Sequence, residues 1–569
     1  MRYRHNQAHN SADKVRVLRG FYLKSQSNKY RIIALLSALL PTSVALAVDP
    51  PTPGTVGDVF DKPILKAPAT DAVPPIKTTP EAKRAKVKSD KKIKVRGFTI
   101  TGNVAFTSEE LLAPLDSLVG EQLTLEEIYA AADILTSFYR ERGFSLARVV
   151  VPSQKVNFGI IALEAVEGTL GEVVVEGKEE YNSQFMIEHI KSIKPGEPVS
   201  LDVLERDLLI LNDLPGLTAR AVVRPGKTFG TSDLLLKTEV KPFQGRVAVN
   251  NFGRQELGEW KLDGEFTFNN FTGNGDQFGI NVSHSESDLL NFIGLAYNFP
   301  INAEGTRIGI NATYVDYTVG GEFGALGIEG DTTDLQLTLT HPLMRSKREN
   351  LLLGFGLGEN AAESADLANP ATENDITLLE ANLLYNVVHN DNSVSTLYGV
   401  LSTNFRSNSD GLQNNAQKAK LVVDASHLRS LDRNWQMFLR GQLTLSADPL
   451  VDSEKFSAGG QGSVRGFTSS EIRGDEGYQL TAELRRTVNL AEGINSSVRG
   501  FLDTAQVSRI EPLAGEDDEE SITSLGLGVT VVPEKNISID LEYARPVDGR
   551  NTSDGRDGGR FWANIAYRF

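Results

Sequence analysis

Cysteine is absent from the 569 residues, so neither a disulfide framework nor a thiolate zinc site is available. The seven histidines are dispersed and form no metal-spaced cluster. No H-E-x-x-H, G-x-x-x-x-G-K-[ST] or C-x-x-C occurs, which removes the common metalloprotease, nucleotide and dithiol chemistries. A concentrated basic face is missing as well. Residues 1–47 hold eight Lys/Arg and one acid, Asp13; the remainder carries a net charge of −23. That balance excludes nucleic acid as the main partner. A long hydrophobic run is also lacking. The leader's Ile32–Leu40 run is too short to cross ~30 Å of hydrocarbon as a helix, and Pro41 ends it.

Several kinds of pattern are present. A basic region ending Lys29-Tyr30-Arg31, the apolar run and Ala45-Leu46-Ala47 read as a secretory signal peptide over 1–47, with Val48 as the new N-terminus. Residues 48–92, rich in Pro, Lys and Thr, read as a linker. Residues 93–168 carry a βααββ pattern. Thr107-Ser-Glu-Glu110 and Thr124-Leu-Glu-Glu127 fit capping boxes that start two helices. On the second helix Ile128, Ala131, Ala132, Leu135, Phe138 and Tyr139 share one apolar face, and Gly143 closes it. Residues 169–241 repeat the plan, with helices near 182–193 and 200–214.

From Gly245 to Phe569 no helix-period segment remains. Sixteen alternating segments begin near 245, 258, 274, 289, 306, 330, 349, 374, 393, 416, 434, 476, 493, 521, 536 and 559. About ten residues per strand is the length that crosses a bilayer when tilted. An even count lets an antiparallel sheet close, and lipid tolerates no open edge. The expectation is a transmembrane β-barrel of 16 antiparallel strands behind two periplasmic α+β domains. Long connections are expected at 320–329, 360–373, 406–415 and 510–520. Carboxylates such as Asp263, Glu265, Glu483 and Asp540 are expected to face a wet lumen rather than form catalytic pairs, so the chain reads as a non-enzyme without cofactor or metal.

The longest gap, 448–475, contains Gly459-Gly460-Gln461-Gly462-Ser463-Val464-Arg465-Gly466-Phe467. It is neither G-x-G-x-x-G nor G-x-S-x-G, because Gly466 comes one residue late and Gln461 stands where a glycine is needed. Arg465 needs a carboxylate or water, since an unpaired buried charge is costly. Asp503, in Phe501-Leu502-Asp503, is the candidate partner.

Val464-Arg465-Gly466-Phe467 with Phe501-x-Asp503 resembles the paired motifs of the outer-membrane protein translocation and assembly superfamily. Within it the chain most resembles the two-partner secretion (TpsB-type) transporters, also called the hemolysin secretion/activation family. Residues 93–168 and 169–241 look like polypeptide-transport-associated (POTRA) domains. Arg142-Gly143-Phe144, Pro152-x-Gln154, Leu211 to Gly216 and Gly230 to Asp233 carry that likeness. The resemblance implies an outer-membrane translocator whose POTRA domains catch an unfolded TpsA-type exoprotein in the periplasm. It implies that Arg465 meets Asp503 inside the barrel, and that Phe569 is a membrane-insertion signal read by the barrel-assembly machinery. It also implies a plug helix near the mature N-terminus; only Thr55–Leu65 offers the length, and Pro63 limits it. A barrel-assembly factor of the same superfamily and a passive porin or receptor are the alternative readings.

Overall fold

The computed structural model describes residues 51–52, 77–78 and 91–569, except 178–180, 191, 193, 195, 368–371, 410–418, 492–493, 513–514 and 549. The leader, its cleavage point and the Thr55–Leu65 stretch lie outside the described residues.

Two α+β modules come first. In the first, Thr107 and Thr124 both cap as the sequence predicts. Each hydroxyl accepts from the third helical N–H, and Glu110 or Glu127 accepts in return from the cap's own N–H. Those threonine hydrogen bonds hold both glutamate carboxyls below their usual pKa. Helix α1 (Ser108–Leu112) passes into a 3₁₀ turn at Pro114, and α2 (Leu125–Glu141) follows. Ile128, Ala131, Ala132, Leu135 and Tyr139 of α2 are buried against a three-stranded sheet in which 160–166 lies between 97–101 and 148–150. A separate short strand, 92–94, precedes 97–101 and pairs with 122–124. Gly143 takes a positive φ of 88° after α2, the backbone a glycine adopts without strain.

The second module has α3 (Ser183–Glu188), α4 (Leu201–Asn212) and a sheet ordered 77–78, 217–225, 231–240, 169–177. Helix α3 is shorter than the sequence suggests. It carries Met186 into the core, with Tyr181 just before it and Ile190 just after it. Amide side chains close gaps in both sheets. Gln154 donates to the Ala162 carbonyl (2.8 Å) and accepts from its N–H (2.8 Å). Asn212 does the same for Ala219, at 3.0 and 2.8 Å.

The remaining chain is a closed barrel of sixteen antiparallel strands. These are β1 (Phe243–Asn250), β2 (Lys261–Asn269), β3 (Gln277–Ser285), β4 (Leu290–Pro300), β5 (Arg307–Thr318), β6 (Glu329–Arg345), β7 (Glu349–Ala365), β8 (Thr372–Val388), β9 (Val394–Ser409), β10 (Ala419–Ser430), β11 (Trp435–Ser446), β12 (Glu476–Ala491), β13 (Ile494–Ser508), β14 (Glu519–Glu534), β15 (Ile537–Pro546) and β16 (Arg560–Arg568). Every predicted start lies within three residues of an observed one. The expected loop 360–373 is mostly strand instead, because β6 to β9 run 16 or 17 residues, well beyond the ~9–11 that cross a bilayer.

Parity divides the wall. Leu337, Leu357 and Leu379 stand opposite one another on three adjacent strands and point outward, 44–50% exposed. Gln336, one residue away, turns in and donates to Glu380 at 3.0 Å. Apolar outward and polar inward is the pattern a bilayer imposes on a barrel.

The second module is fastened to the barrel. Arg345 at the end of β6 donates two parallel hydrogen bonds to Asp213 after α4, both 2.8 Å, and Lys347 meets Glu205. At the barrel's closure Phe569 and Gly245 exchange backbone hydrogen bonds of 3.0 Å. The Phe569 ring lies where a Gly245 side chain would be, and near Phe243 and Tyr567, each 5.8 Å away between centroids. We expect deletion of Phe569 to lower the heat-modifiable, folded fraction in outer-membrane preparations on semi-native gels. Unchanged folding and abundance would reduce this ring to an interfacial side chain.

Candidate functional site

The 447–475 segment between β11 and β12 returns into the barrel as a small hairpin, Phe456–Ala458 paired with Ile472–Gly474. Its tip is built by packing first. Val464 and Phe467, 1% and 0% exposed, join Phe456, Ala458 and Ile472 against Ala505, Val507 and Ile522 of the inner wall. The glycines divide their roles. Gly459 and Gly460 take positive φ (118° and 94°), and Gly466 lies against the wall, where an added Cβ would stand 2.6 Å from that of Ser524. Gly462 faces open space: a Cβ there would meet nothing within 4 Å.

Apolar anchoring leaves one cation, Arg465, fully inside. Its Nε and Nη2 donate to the two oxygens of Asp503, each at 2.8 Å, and its own backbone N–H reaches Asp503 at 3.3 Å. Nη1 donates to Glu483 at 2.7 Å and to Glu542 at 3.2 Å. The guanidinium carbon stands 3.3 Å from the Phe501 ring centroid, and the Arg465 carbonyl accepts from Trp562 Nε1 at 2.8 Å. Phe501 and Asp503 are two residues apart on β13, so both face the lumen, and the F-x-D spacing supplies ring and carboxylate together.

Three of these partners were not assigned to the site from sequence. Glu483 was expected to be a solvated lumen residue; it is 7% exposed and shared between Arg465 and Arg485. Glu542 is shared between Arg465 and Arg499, and Trp562 stands opposite it on β16. The β14 glycines make room: a Cβ at Gly526 would meet the Phe501 ring at 2.3 Å, and one at Gly528 would meet Arg499 at 2.8 Å. Alternation placed these groups on the inner face, but a single strand cannot say which inner residues of its neighbours stand beside it.

The cluster is neutral in sum, Arg465, Arg485 and Arg499 against Glu483, Asp503 and Glu542. Burial disfavours the Arg465 charge, but the hydrogen bond and charge of Asp503, then Glu542 and Glu483, outweigh it, and its pKa is raised above the ordinary arginine value. Asp503 is 0% exposed, so removing Arg465 strands a buried anion at a cost of about 3–5 kcal/mol. Lysine cannot make the two-pronged contact. Among the described residues no group of His, Asp and Glu is placed to hold a metal ion.

Further contacts hold the loop. Arg254, between β1 and β2, donates to the Ser469 carbonyl at 3.1 Å, and Ser469 donates to the Phe252 carbonyl at 3.3 Å. Ser553, between β15 and β16, donates twice to Glu471 at 2.8 Å. At the hairpin's foot Arg473 donates to Thr52 at 3.0 Å and to Asp452 at 3.4 Å.

With no native cysteine, Ser463→Cys gives a single labelling position near the tip. We expect Arg465→Ala in that background to raise labelling by a membrane-impermeant maleimide several-fold, with Arg465→Lys between it and the parent. The barrel should stay heat-modifiable, because the backbone ladders that close it form without the loop, whose side-chain bonds only supplement them at the seam. Equal labelling in all three would show that the apolar anchors alone hold the tip. Exchanging the charges, Arg465→Asp with Asp503→Arg, is not expected to restore the parent pattern, because the new aspartate would face Glu483 and Glu542.

Comparison with known proteins agrees with this architecture. The family model described as haemolysin secretion/activation protein ShlB/FhaC/HecB matches residues 230–531, and that of the ShlB-type POTRA domain matches 93–168. The heme/hemopexin transporter protein HuxB of Haemophilus influenzae (strain 86-028NP) is 24% identical over 483 residues, 82% of this chain and 85% of that one. The hemolysin transporter protein ShlB of Serratia marcescens is 24% identical over 493 residues, 84% and 86% of the two chains. Among solved structures, CdiB from Escherichia coli superposes with a TM-score of 0.69 at 20% identity, covering 86% of this chain and 93% of that one. The chain belongs to the haemolysin secretion/activation protein ShlB/FhaC/HecB family.

Proposed function

We propose that this chain is an outer-membrane translocator that takes an unfolded partner exoprotein from the periplasm, through its two α+β modules, and passes it through the barrel to the cell surface. The observation that carries the reading is a closed barrel, apolar outside, whose polar lumen receives a loop held by a buried ion cluster. It is preceded by two modules with sheet edges that can take up extended chain. Transporters of heme/hemopexin and of hemolysin among the relatives point the same way.

The lumen suits a conduit. Some of its charges are matched to one another, Arg440 with Asp424 at 2.8 Å and Arg499 with Glu542 at 2.8 Å, and others, such as Asp263 and Asp334, are held by neutral donors of the wall. The sequence carries no nucleotide-binding loop, and folding of the partner outside supplies the bias by making return costly. In this reading the ion cluster around Arg465 positions the lumenal loop rather than performing chemistry. The chain is a transporter and not an enzyme.

Mass spectrometry of culture medium from cells with and without this protein tests the proposal. One large secreted polypeptide should vanish in the deletion strain; a deficit spread over many outer-membrane barrels would indicate an assembly factor instead. In the same assay, deletion of residues 93–168 should abolish export while the barrel still inserts. Arg465→Ala and Asp503→Ala should each lower export with the barrel still present. Normal export from either single variant would remove the loop's functional weight.

A further inference from the structure

The second module covers the turns after β2, β4 and β6. Phe185 and Leu214 lie against Gly275, Ile210 against Gly305, and Asp213 meets Arg345. The next two turns at that end, after β8 and β10, carry a polar cluster on the outside of the wall. Ser395 on β9 and His427 on β10 stand opposite each other, and Val387 and Leu439 continue the row on β8 and β11. Leu397 and Leu439 share this face and are 42% and 40% exposed, which marks it as the lipid side. Trp435, outward on β11, has the Arg486 guanidinium 5.2 Å from its ring centroid. Such an aromatic with a long cation beside it belongs at a membrane–water interface. A cluster at this level faces lipid headgroups.

The cluster lines an open recess of about 460 Å³ with His389, Asn390, Asp391, Ser393, His427 and Arg429. Ser395 Oγ stands between the two rings, 2.8 Å from His389 Nε2 and 2.9 Å from His427 Nδ1. A hydroxyl that uses its one proton here donates to one nitrogen and accepts from the other. With neutral rings, the outer nitrogens, His389 Nδ1 and His427 Nε2, are then one N–H and one lone pair, whichever way the hydroxyl turns. Asp391 and Arg429 lie 3.4 Å apart, 47% and 52% exposed. Arg348 donates to Asn390 Oδ1 at 2.6 Å, which leaves the amide nitrogen as that side chain's remaining donor.

Both signs and both hydrogen-bonding senses therefore stand side by side. Arg429, the Asn390 amide and one imidazole N–H suit an anion. Asp391 and the other ring's lone pair suit a cation that has protons to give. A phosphate alone would use the first set and be repelled by Asp391; a quaternary ammonium has no proton for the ring nitrogen. The feature is local. Nearer the seam the same end of the outer wall carries Phe243, Phe268, Phe278 and Phe569, ring against ring with centroids 5.0, 5.8 and 6.2 Å apart.

We propose that this recess binds the headgroup of a phosphatidylethanolamine-type lipid of the periplasmic leaflet, its phosphodiester toward Arg429 and its primary ammonium toward Asp391. The proposal depends on the barrel's place in the outer membrane and not on the translocator reading.

Native mass spectrometry of the full-length, heat-modifiable protein tests it. The probes are palmitoyl-oleoyl phosphatidylethanolamine, phosphatidylcholine and phosphatidylglycerol, which share their chains and differ in headgroup. One phosphatidylethanolamine is expected to bind about ten-fold more tightly than either of the others. His427→Gln with Arg429→Gln should bring it to their level, and Asp391→Asn should abolish the preference over phosphatidylcholine. Arg433→Gln, on the adjoining turn outside the recess, should change neither. If the double variant folds poorly, Arg429→Gln alone, at an exposed outward position, should still weaken binding about three-fold. Equal binding of the three lipids by the parent overturns the proposal, as does parent-like binding by the folded double or single variant. An equal loss in Arg433→Gln reduces the effect to overall charge and overturns the recess as the site. Competition by free glycerophosphoethanolamine at the lipid's own concentration overturns the membrane lipid as its occupant.

Discussion

A cation buried in a protein must be matched, and the Arg465 guanidinium sets much of the surrounding sequence. Asp503 serves it alone, with two parallel hydrogen bonds, while Glu483 and Glu542 are each shared with a second arginine. The sharing is what keeps the cluster neutral: three carboxylates around one guanidinium would repel one another, and Arg485 and Arg499 offset the excess. Room for these side chains is then made by absence. Gly526 leaves space for the Phe501 ring and Gly528 for Arg499, so the glycines of β14 are as much part of the site as the charges. A buried ion network of this kind is weak evidence for stability, because desolvation cancels most of its attraction. What it contributes is direction: the bidentate fork fixes the orientation of the loop tip as well as its position.

The second governing constraint is the bilayer. Every backbone polar group in the wall must be paired within the wall, and this forces closure and strict alternation. Both leave a strong mark on sequence. That is why all sixteen strand starts were legible to within three residues and why the two capping boxes located α1 and α2. The losses are equally physical. The segment at 360–373 looked like a loop because Asn, Glu and Ser replace the apolar alternation there. Its residues 360–365 and 372–373 continue β7 and β8 as strand past the length that crosses a bilayer, where the outward face needs no leucine.

Of the candidate site, the arginine, its exclusive aspartate and the phenylalanine beneath it were legible, since Phe501-x-Asp503 places two groups on one face of one strand. Glu483, Glu542 and Trp562 were not. Which inner residues of β12, β15 and β16 lie level with Asp503 depends on the barrel's stagger, and no local pattern encodes it. The same limit hid Gln154 and Asn212. An amide that imitates a missing strand has no period, so its motif can be noticed without its task being read. Only the structure shows that both cap a sheet where neighbouring strands fall short.

Closure and loop placement turn out to be one problem. The seam between β1 and β16 has five register pairs, against eight on each flanking side. Additional bonds gather past its far end. Asn251 donates to the Phe561 carbonyl at 2.8 Å and accepts from Ala563 at 2.7 Å, and Arg556 meets Glu259 across the gap between the two connecting loops. The lumenal segment spans the same gap from inside. Ser469 and Ser470 are held by Arg254 on the β1 side, while Glu471 holds Ser553 on the β16 side, and Trp562 of β16 grips the Arg465 carbonyl. A shortfall of ladder bonds at the seam is thus offset by side-chain bonds that run through the loop. Arg465 therefore does more than anchor a loop to a wall: through Trp562 and its own segment it shares in holding the first strand to the last. Any change in the loop's position must alter the bonds that close the barrel.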